Sequence, residues 1–298
     1  MIRRPLLGIV SRSLGKARFK TGLFISITVI ILAVISPFIV PYPREGYGYV
    51  PPESSGRRLL PPSLQFLFGT DALGRDLFSR VIIGTRTAII QVLTVISMSM
   101  LIGVIMGTCS AYFKGVTEAV LNYLTELFMS IPSILIALFL RLTMDQGIHV
   151  VIASLTVTWW SWYARISYVY AKSVVELDYV VLAKLSGLSP LKIIMRHVVR
   201  NLIQPMIVQA ISDMGSVLLE ASAINFMGLG LPPGSPEWGV ILYEGITGLS
   251  IEVFTKAPWL IIIPGLFILV TTLGFSLVAD PLREDLDPRL RRRWRLWF

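Results

Sequence analysis

Cysteine, histidine and charge are all scarce in this sequence. Its 298 residues include one cysteine and two histidines, and charged side chains make up 15%. The lone Cys109 excludes a disulfide framework and reads as a small buried apolar residue. His149 and His197 lie far apart and are expected on opposite faces of a membrane, so they form no metal or catalytic cluster. The patterns His-Glu-x-x-His, Gly-x-Ser-x-Gly and Gly-x-x-x-x-Gly-Lys do not occur. No catalytic residue, metal ligand or cofactor site is therefore expected in the chain, so any energy-driven process it served would need an external motor.

What is abundant is apolar surface. Hydrophobic residues make up 54% and the mean hydropathy is +0.71. A water-soluble globule so composed would expose large apolar patches, so the bilayer is the natural solvent. A helix crosses the hydrocarbon core in about 20 residues. Six runs meet that length: 21–42, 83–112, 119–141, 148–168, 202–225 and 258–279. They predict an all-α membrane protein with six transmembrane helices. Pro37, Pro132, Pro205 and Pro264 fall inside these runs, where neighbouring helices can satisfy the freed backbone groups.

Basic residues set the expected orientation. Arg3, Arg4, Arg12, Lys16, Arg18 and Lys20 stand before the first run without an acid, which predicts a cytoplasmic tail over 1–20. Six spans return the tail at 281–298 to the same side, with Arg283, Arg289, Arg291, Arg292, Arg293 and Arg295. In the outer part of the segment 21–82, Arg44, Arg57, Arg58, Arg75 and Arg80 are accompanied by Glu45, Glu53, Asp71 and Asp76. The net charge of +9 thus sits mainly where it would face anionic headgroups, and nucleic acid is not an expected partner. The first apolar run is too long for a signal peptide and ends without a small-residue cleavage site, so it reads as a retained helix.

Between spans four and five lies a polar loop at about 172–200, containing ELDYVVLAKLSGLSPLKIIMRH. Asp178 is placed to cap a helix through Ser186, and Gly187 stands where a left-handed terminating residue is wanted. Ser189-Pro190 is a second start signal. Leu191, Ile194, Met195, Val198 and Leu202 then fall on one face and Lys192, Arg196 and Arg200 on another. The pattern predicts a helix–turn–helix beside the membrane, acting either as an interfacial anchor or as a docking element.

Asp213 and Glu220 are seven apart in the fifth run, hence on one helical face, with Gln209 and Asn225 nearby. Intramembrane acids face a bundle interior or an aqueous path, so a translocation pathway and a buried inter-helix hydrogen bond both remain open. Arg165, beneath a tryptophan cluster, reads as an interfacial anchor at the end of span four. In the outer loop NFMGLGLPPGSPEWGVILYEGI, Trp238 is expected at the outer interface. In FGTDALGRDLFSR, a turn at Gly69–Asp71 precedes Leu73, Leu77 and Val81 at helical spacing, an entry helix lying on the bilayer.

Taken together, FGTDALGRDLFSR, WYAR, LLEASAINFMGLGLPP with EWG, and DPLREDLDPRLR resemble, in order and spacing, the second permease subunit of dipeptide/oligopeptide-type ABC importers. The resemblance covers about 65–293. It implies a type I ABC importer permease architecture, with a permease core at 83–280. Partners would be a second homologous permease subunit, two cytoplasmic ABC ATPases that bind ATP and Mg, an extracytoplasmic solute-binding protein and the lipid bilayer. The loop would dock into the ATPase through Asp178, Tyr179, Val181, Leu182, Ala183, Lys184, Gly187, Arg196 and His197.

The family's Glu-Ala-Ala reads here Val181-Leu182-Ala183, so docking is expected to depend more on packing than on charge, and Arg200 stands where a proline is common. Asp213, Glu220 and Asn225 would belong to the translocation pathway, and Asp71, Arg75 and Trp238 would be contacts for the binding protein. The implied activity is binding-protein-dependent import of peptides, with oligosaccharides as the alternative. Nickel fits less well, because the spans offer few imidazole or thiolate ligands. A secondary transporter would need coupling-ion sites and an internal repeat, which is not seen, and a membrane scaffold leaves the intramembrane acids without a purpose.

Overall fold

A computed structural model describes residues 6–286. The expected basic residues Arg3 and Arg4, and Arg289 through Arg295, lie outside the described residues. The described residues are mainly helical, and the only strand-like pairing among them is an isolated bridge between Thr70 and Asp76. A short α1 (Leu6–Ser13) leads into α2 (Ala17–Ile39), followed by the one-turn α3 (Pro43–Gly46). The long α4 (Leu77–Phe113) is capped by Asp76, whose carboxylate accepts from the Ser79 amide at 2.8 Å.

α5 (Gly115–Met129) and α6 (Ser133–Thr143) occupy the third expected span but are bent by 83° at the break between them. Pro132 has no N–H to continue the ladder and holds extended backbone in front of α6, so the run breaks instead of merely kinking. α7 (Ile148–Val175) follows.

α8 (Asp178–Leu185) and α9 (Pro190–Ile193) form the predicted helix–turn–helix, with Gly187 between them at φ 77°. Asp178 is the first helical residue, not the cap, which corrects the expected start by one position. α9 does not stand apart. A π-helical stretch at Ile194–Val199 joins it to α10 (Arg200–Phe226), making one continuous helix. Ile194, Val198 and Leu202 pack inward along it, whereas Leu191 and Met195, expected on the same face, are exposed. α11 (Trp238–Leu249), the one-turn α12 (Val253–Lys256) and α13 (Trp259–Leu286) complete the chain.

Among the described residues, four helices are long and apolar enough to cross a membrane: α2, α4, the continuous Pro190–Phe226 helix and α13. The bent α5–α6 pair adds a fifth if it is one span. α7 has the length, at 28 residues, but its tryptophans, tyrosines, serines and threonines make it more polar. It also runs past the expected end at 168. Arg165 therefore lies within the helix and pairs with Glu126 of α5 at 3.5 Å, instead of marking a helix end.

The core forms where α4 lies against α7. Gly103 and Gly107, four apart on α4, let the two backbones approach closely. A Cβ at Gly103 would stand 2.5 Å from the Cβ of Tyr163, and one at Gly107 only 2.3 Å from the Ala164 carbonyl. Outward-facing Phe24, Val34 and Phe38 of α2 leave an apolar surface suited to lipid or to another apolar chain.

Candidate functional site

Glu220 emerges from α10 beside the break between α5 and α6. Its Oε2 accepts hydrogen bonds from Ser133 Oγ at 2.9 Å and from the Trp159 indole N–H at 3.2 Å. These groups line a cleft of about 450 Å³ together with Phe128, Pro132, Thr158 and Trp162. Two turns away on the same face of α10, Asp213 accepts from the Trp162 indole at 3.3 Å and from Gln209 Nε2 at 2.8 Å. α7 therefore presents two indoles, three residues apart, to two carboxylates seven apart on α10.

The expected placement of Asp213 and Glu220 on one face of α10 holds. Asp213 is buried in inter-helix hydrogen bonds, whereas Glu220 opens onto the cleft. Asn225 does not join them. It is fully buried, and its side-chain oxygen accepts from the Leu231 amide at 3.0 Å, which pins the following loop and keeps the side chain off the cleft.

The outer segment is folded inward. Asp71 and Arg75, expected as surface contacts, are buried in an ionic cluster. Arg75 Nε donates to Asp71 at 2.6 Å, and its terminal nitrogen reaches Glu244 of α11 at 2.9 Å. Arg80 donates to the same two carboxylates at 2.8 and 2.6 Å and is itself fully buried. Two guanidiniums and two carboxylates thus balance, and Glu244 also accepts from the Gly234 amide at 2.5 Å.

Trp238 is likewise fully buried and not interfacial, because its indole N–H finds the Val81 carbonyl at 2.9 Å. The entry helix expected over 73–81 is absent, since the helix begins only at Leu77 and lies inside the bundle. Beside Trp238, Glu237 caps α11 from a buried position, accepting from Val240 N and Ser222 Oγ. Burial pushes its carboxyl up to about 7. Arg80, Glu237, Glu244 and Ser133 were not singled out from sequence, because their partners lie on other helices.

At the other end of the bundle, α8 and α9 bury one side and expose another. Val180, Ala183 and Ile193 cluster with Tyr112 and Val174, and Lys184 Nζ sits 4.4 Å from the centre of the Tyr112 ring. Asn201 donates to the Tyr179 hydroxyl at 2.9 Å, and the Tyr179 ring lies 6.0 Å from that of His197. Facing outward around the Gly187 turn are Val181, Leu182, Leu185, Leu188 and Leu191, of which Leu185 is 79% exposed. Arg196 is exposed on the same helical segment. Of the nine loop residues named from sequence, Ala183 is buried and Lys184 is engaged by Tyr112.

A bundle of long apolar helices with acids facing inward and a broken helix beside a cleft marks a multi-pass membrane protein. The chain belongs to the family described as binding-protein-dependent transport system inner membrane component, whose model matches residues 99–292. It is 32% identical over 97% of its length to a protein of Brucella suis biovar 1 (strain 1330) named for a peptide transport system permease, covering 94% of that protein. It is 30% identical to the di/tripeptide transport system permease protein DppC of Pseudomonas aeruginosa (91% of this chain, 88% of that one). The dipeptide transport system permease protein DppC of Bacillus subtilis is also 30% identical (98% and 89%). A crystal structure of an amino acid ABC transporter with histidines shares the fold at a TM-score of 0.50 and 13% identity, covering 72% of this chain and 94% of that one.

Proposed function

We propose that this chain is the permease subunit of an ATP-driven importer that takes up di- and oligopeptides delivered by an extracytoplasmic binding protein. It forms half of the translocation pathway, and a second, homologous permease subunit forms the other half. Both termini and the α8–α9 loop face the cytoplasm, where two ATPases bind ATP and Mg; the chain itself holds no cofactor and carries out no catalysis.

The observation that carries this reading is the apolar surface around the Gly187 turn. Val181, Leu182, Leu185, Leu188 and Leu191 stand exposed at the end of a helical bundle, on a segment rich in Lys and Arg. An apolar protrusion of this kind fits a groove in a partner. Because α9 continues without a break into α10, a push on the turn moves the helix that carries Asp213 and Glu220. ATP binding and hydrolysis in the ATPases thereby shift the bundle between inward- and outward-open states.

The test is uptake by proteoliposomes containing the complete transporter and its binding protein. Trialanine should accumulate only with ATP and only with the binding protein present. Uptake without ATP, or no uptake of any short peptide, contradicts the proposal.

A further inference from the structure

Glu220 differs from Asp71, Asp213, Glu237 and Glu244 in opening onto a cleft. Asp71 and Glu244 are matched by Arg75 and Arg80, and Asp213 is closed in by Trp162 and Gln209. Glu220 has only neutral partners, Ser133 and Trp159, both on the same oxygen. No lysine, arginine or histidine among the described residues pairs with it. Its carboxylate opens onto a cleft of about 450 Å³, walled by Trp159, Trp162 and Phe128 and floored by the α5–α6 break.

A carboxylate without a partner cation on a membrane-spanning helix is stabilised by a cation, and an aromatic wall adds attraction for an ammonium that has shed its water. We propose that Glu220 and its indole wall form a binding site, within the permease itself, for the α-ammonium of the transported peptide. The inference rests on the peptide-importer reading and deepens it.

The cleft's shape and chemistry fit this ligand better than a metal ion. One carboxylate oxygen is already engaged by two donors, the rest of the lining is hydroxyls, aromatic rings, aliphatic side chains and the single thioether of Met129, and no cluster of metal-ligating residues exists among the described residues. A volume of about 450 Å³ lies in the range that encloses a small organic molecule. Pro132 keeps α6 turned away from α5, which leaves the break open beside Glu220.

The test compares uptake of trialanine and N-acetyl-trialanine by the complete reconstituted transporter, each corrected for its loading onto the binding protein. Acetylation removes the positive charge and leaves the rest of the chain. The wild-type protein should favour trialanine, and Glu220→Gln should lower that preference about tenfold, the effect of losing one charge-assisted hydrogen bond. Glu220→Asp, which keeps the charge, should retain part of it. Trp159→Leu, which removes one ring of the wall and one donor to the carboxylate but leaves the charge, should lower it about threefold and serves if Glu220→Gln does not assemble.

A preference unchanged in both Glu220→Gln and Trp159→Leu overturns the assignment. So does a Glu220→Gln protein that loses its partner permease while Glu220→Asp keeps it, since Glu220 would then pair with a cation of that subunit. A wild-type transporter that hydrolyses ATP but takes up neither peptide overturns the peptide reading, and this inference with it.

Discussion

The two ends of the bundle are finished in opposite ways. At the 70–80 and 228–249 end, charge is turned inward: Asp71, Arg75, Arg80 and Glu244 neutralise one another, Glu237 caps α11, and even Trp238 is fully buried. At the α8–α9 end, apolar residues are turned outward around Gly187, a position where a Cβ would meet nothing within 4 Å. The first end pairs its buried charges internally, and the second leaves apolar side chains exposed. Substitutions at the two ends should therefore separate stability from coupling.

The largest loss of stability is expected inside the ionic cluster. Asp71→Asn leaves two buried guanidiniums against one carboxylate and should destabilise the protein by about 3–5 kcal/mol, seen as a large fall in thermal midpoint in detergent. Only a small shift would mean that water enters the cluster and that the end is less closed than its burial implies. Next comes the seam that joins the ends. Gly103→Val drives side-chain atoms into Tyr163 and the Trp160 carbonyl and should cost about 1–3 kcal/mol by overpacking, read from the same melts.

A subtler effect is expected from Glu237. Its carboxyl titrates near 7 instead of its usual 4.5, so the folded state holds the proton more tightly than the unfolded chain. That contribution is complete below about pH 4.5 and is lost as the pH rises through about 7. Melting temperatures measured from pH 5 to 8 should fall more steeply for the wild type than for Glu237→Gln. Parallel slopes would remove Glu237 as the cause.

The smallest stability effect is expected at the other end. Leu185→Glu should change the melting midpoint by less than about 0.5 kcal/mol equivalent, as at other exposed sites, yet abolish co-purification with the ATPases. Intact co-purification would break the contrast between the ends.

Much of this was readable from the chain. Apolar runs located α2, α4, α10 and α13 because lipid-facing and buried residues are both apolar, so burial direction does not blur the signal. Gly187 and Ser189-Pro190 placed the turn because local backbone geometry depends on local residues. Other features depended on partners distant in sequence. Pro132 was visible, but whether it kinks or breaks a helix depends on what packs beside it. α7 looked finished at Arg165 because the partners of Arg165 and Lys172, Glu126 and Glu118 on α5, are distant in sequence.

Trp238 fitted an interfacial belt by residue type, yet the Val81 carbonyl lets its indole be buried whole. Arg80 and Glu244 are 164 residues apart, and nothing local joins them. For the candidate site, the spacing of Asp213 and Glu220 gave their shared face, while Ser133 and the two indoles became visible only in three dimensions.

The central claim is that the exposed apolar turn docks into an ATPase. It is tested most directly by placing a benzophenone on Leu185→Cys, in a Cys109→Ala background, within the complete transporter. On illumination the label should join this chain to an ATPase subunit, with a yield that changes when ATP is added. A label that reacts only with lipid or detergent, in a transporter that still imports its substrate, would contradict the account.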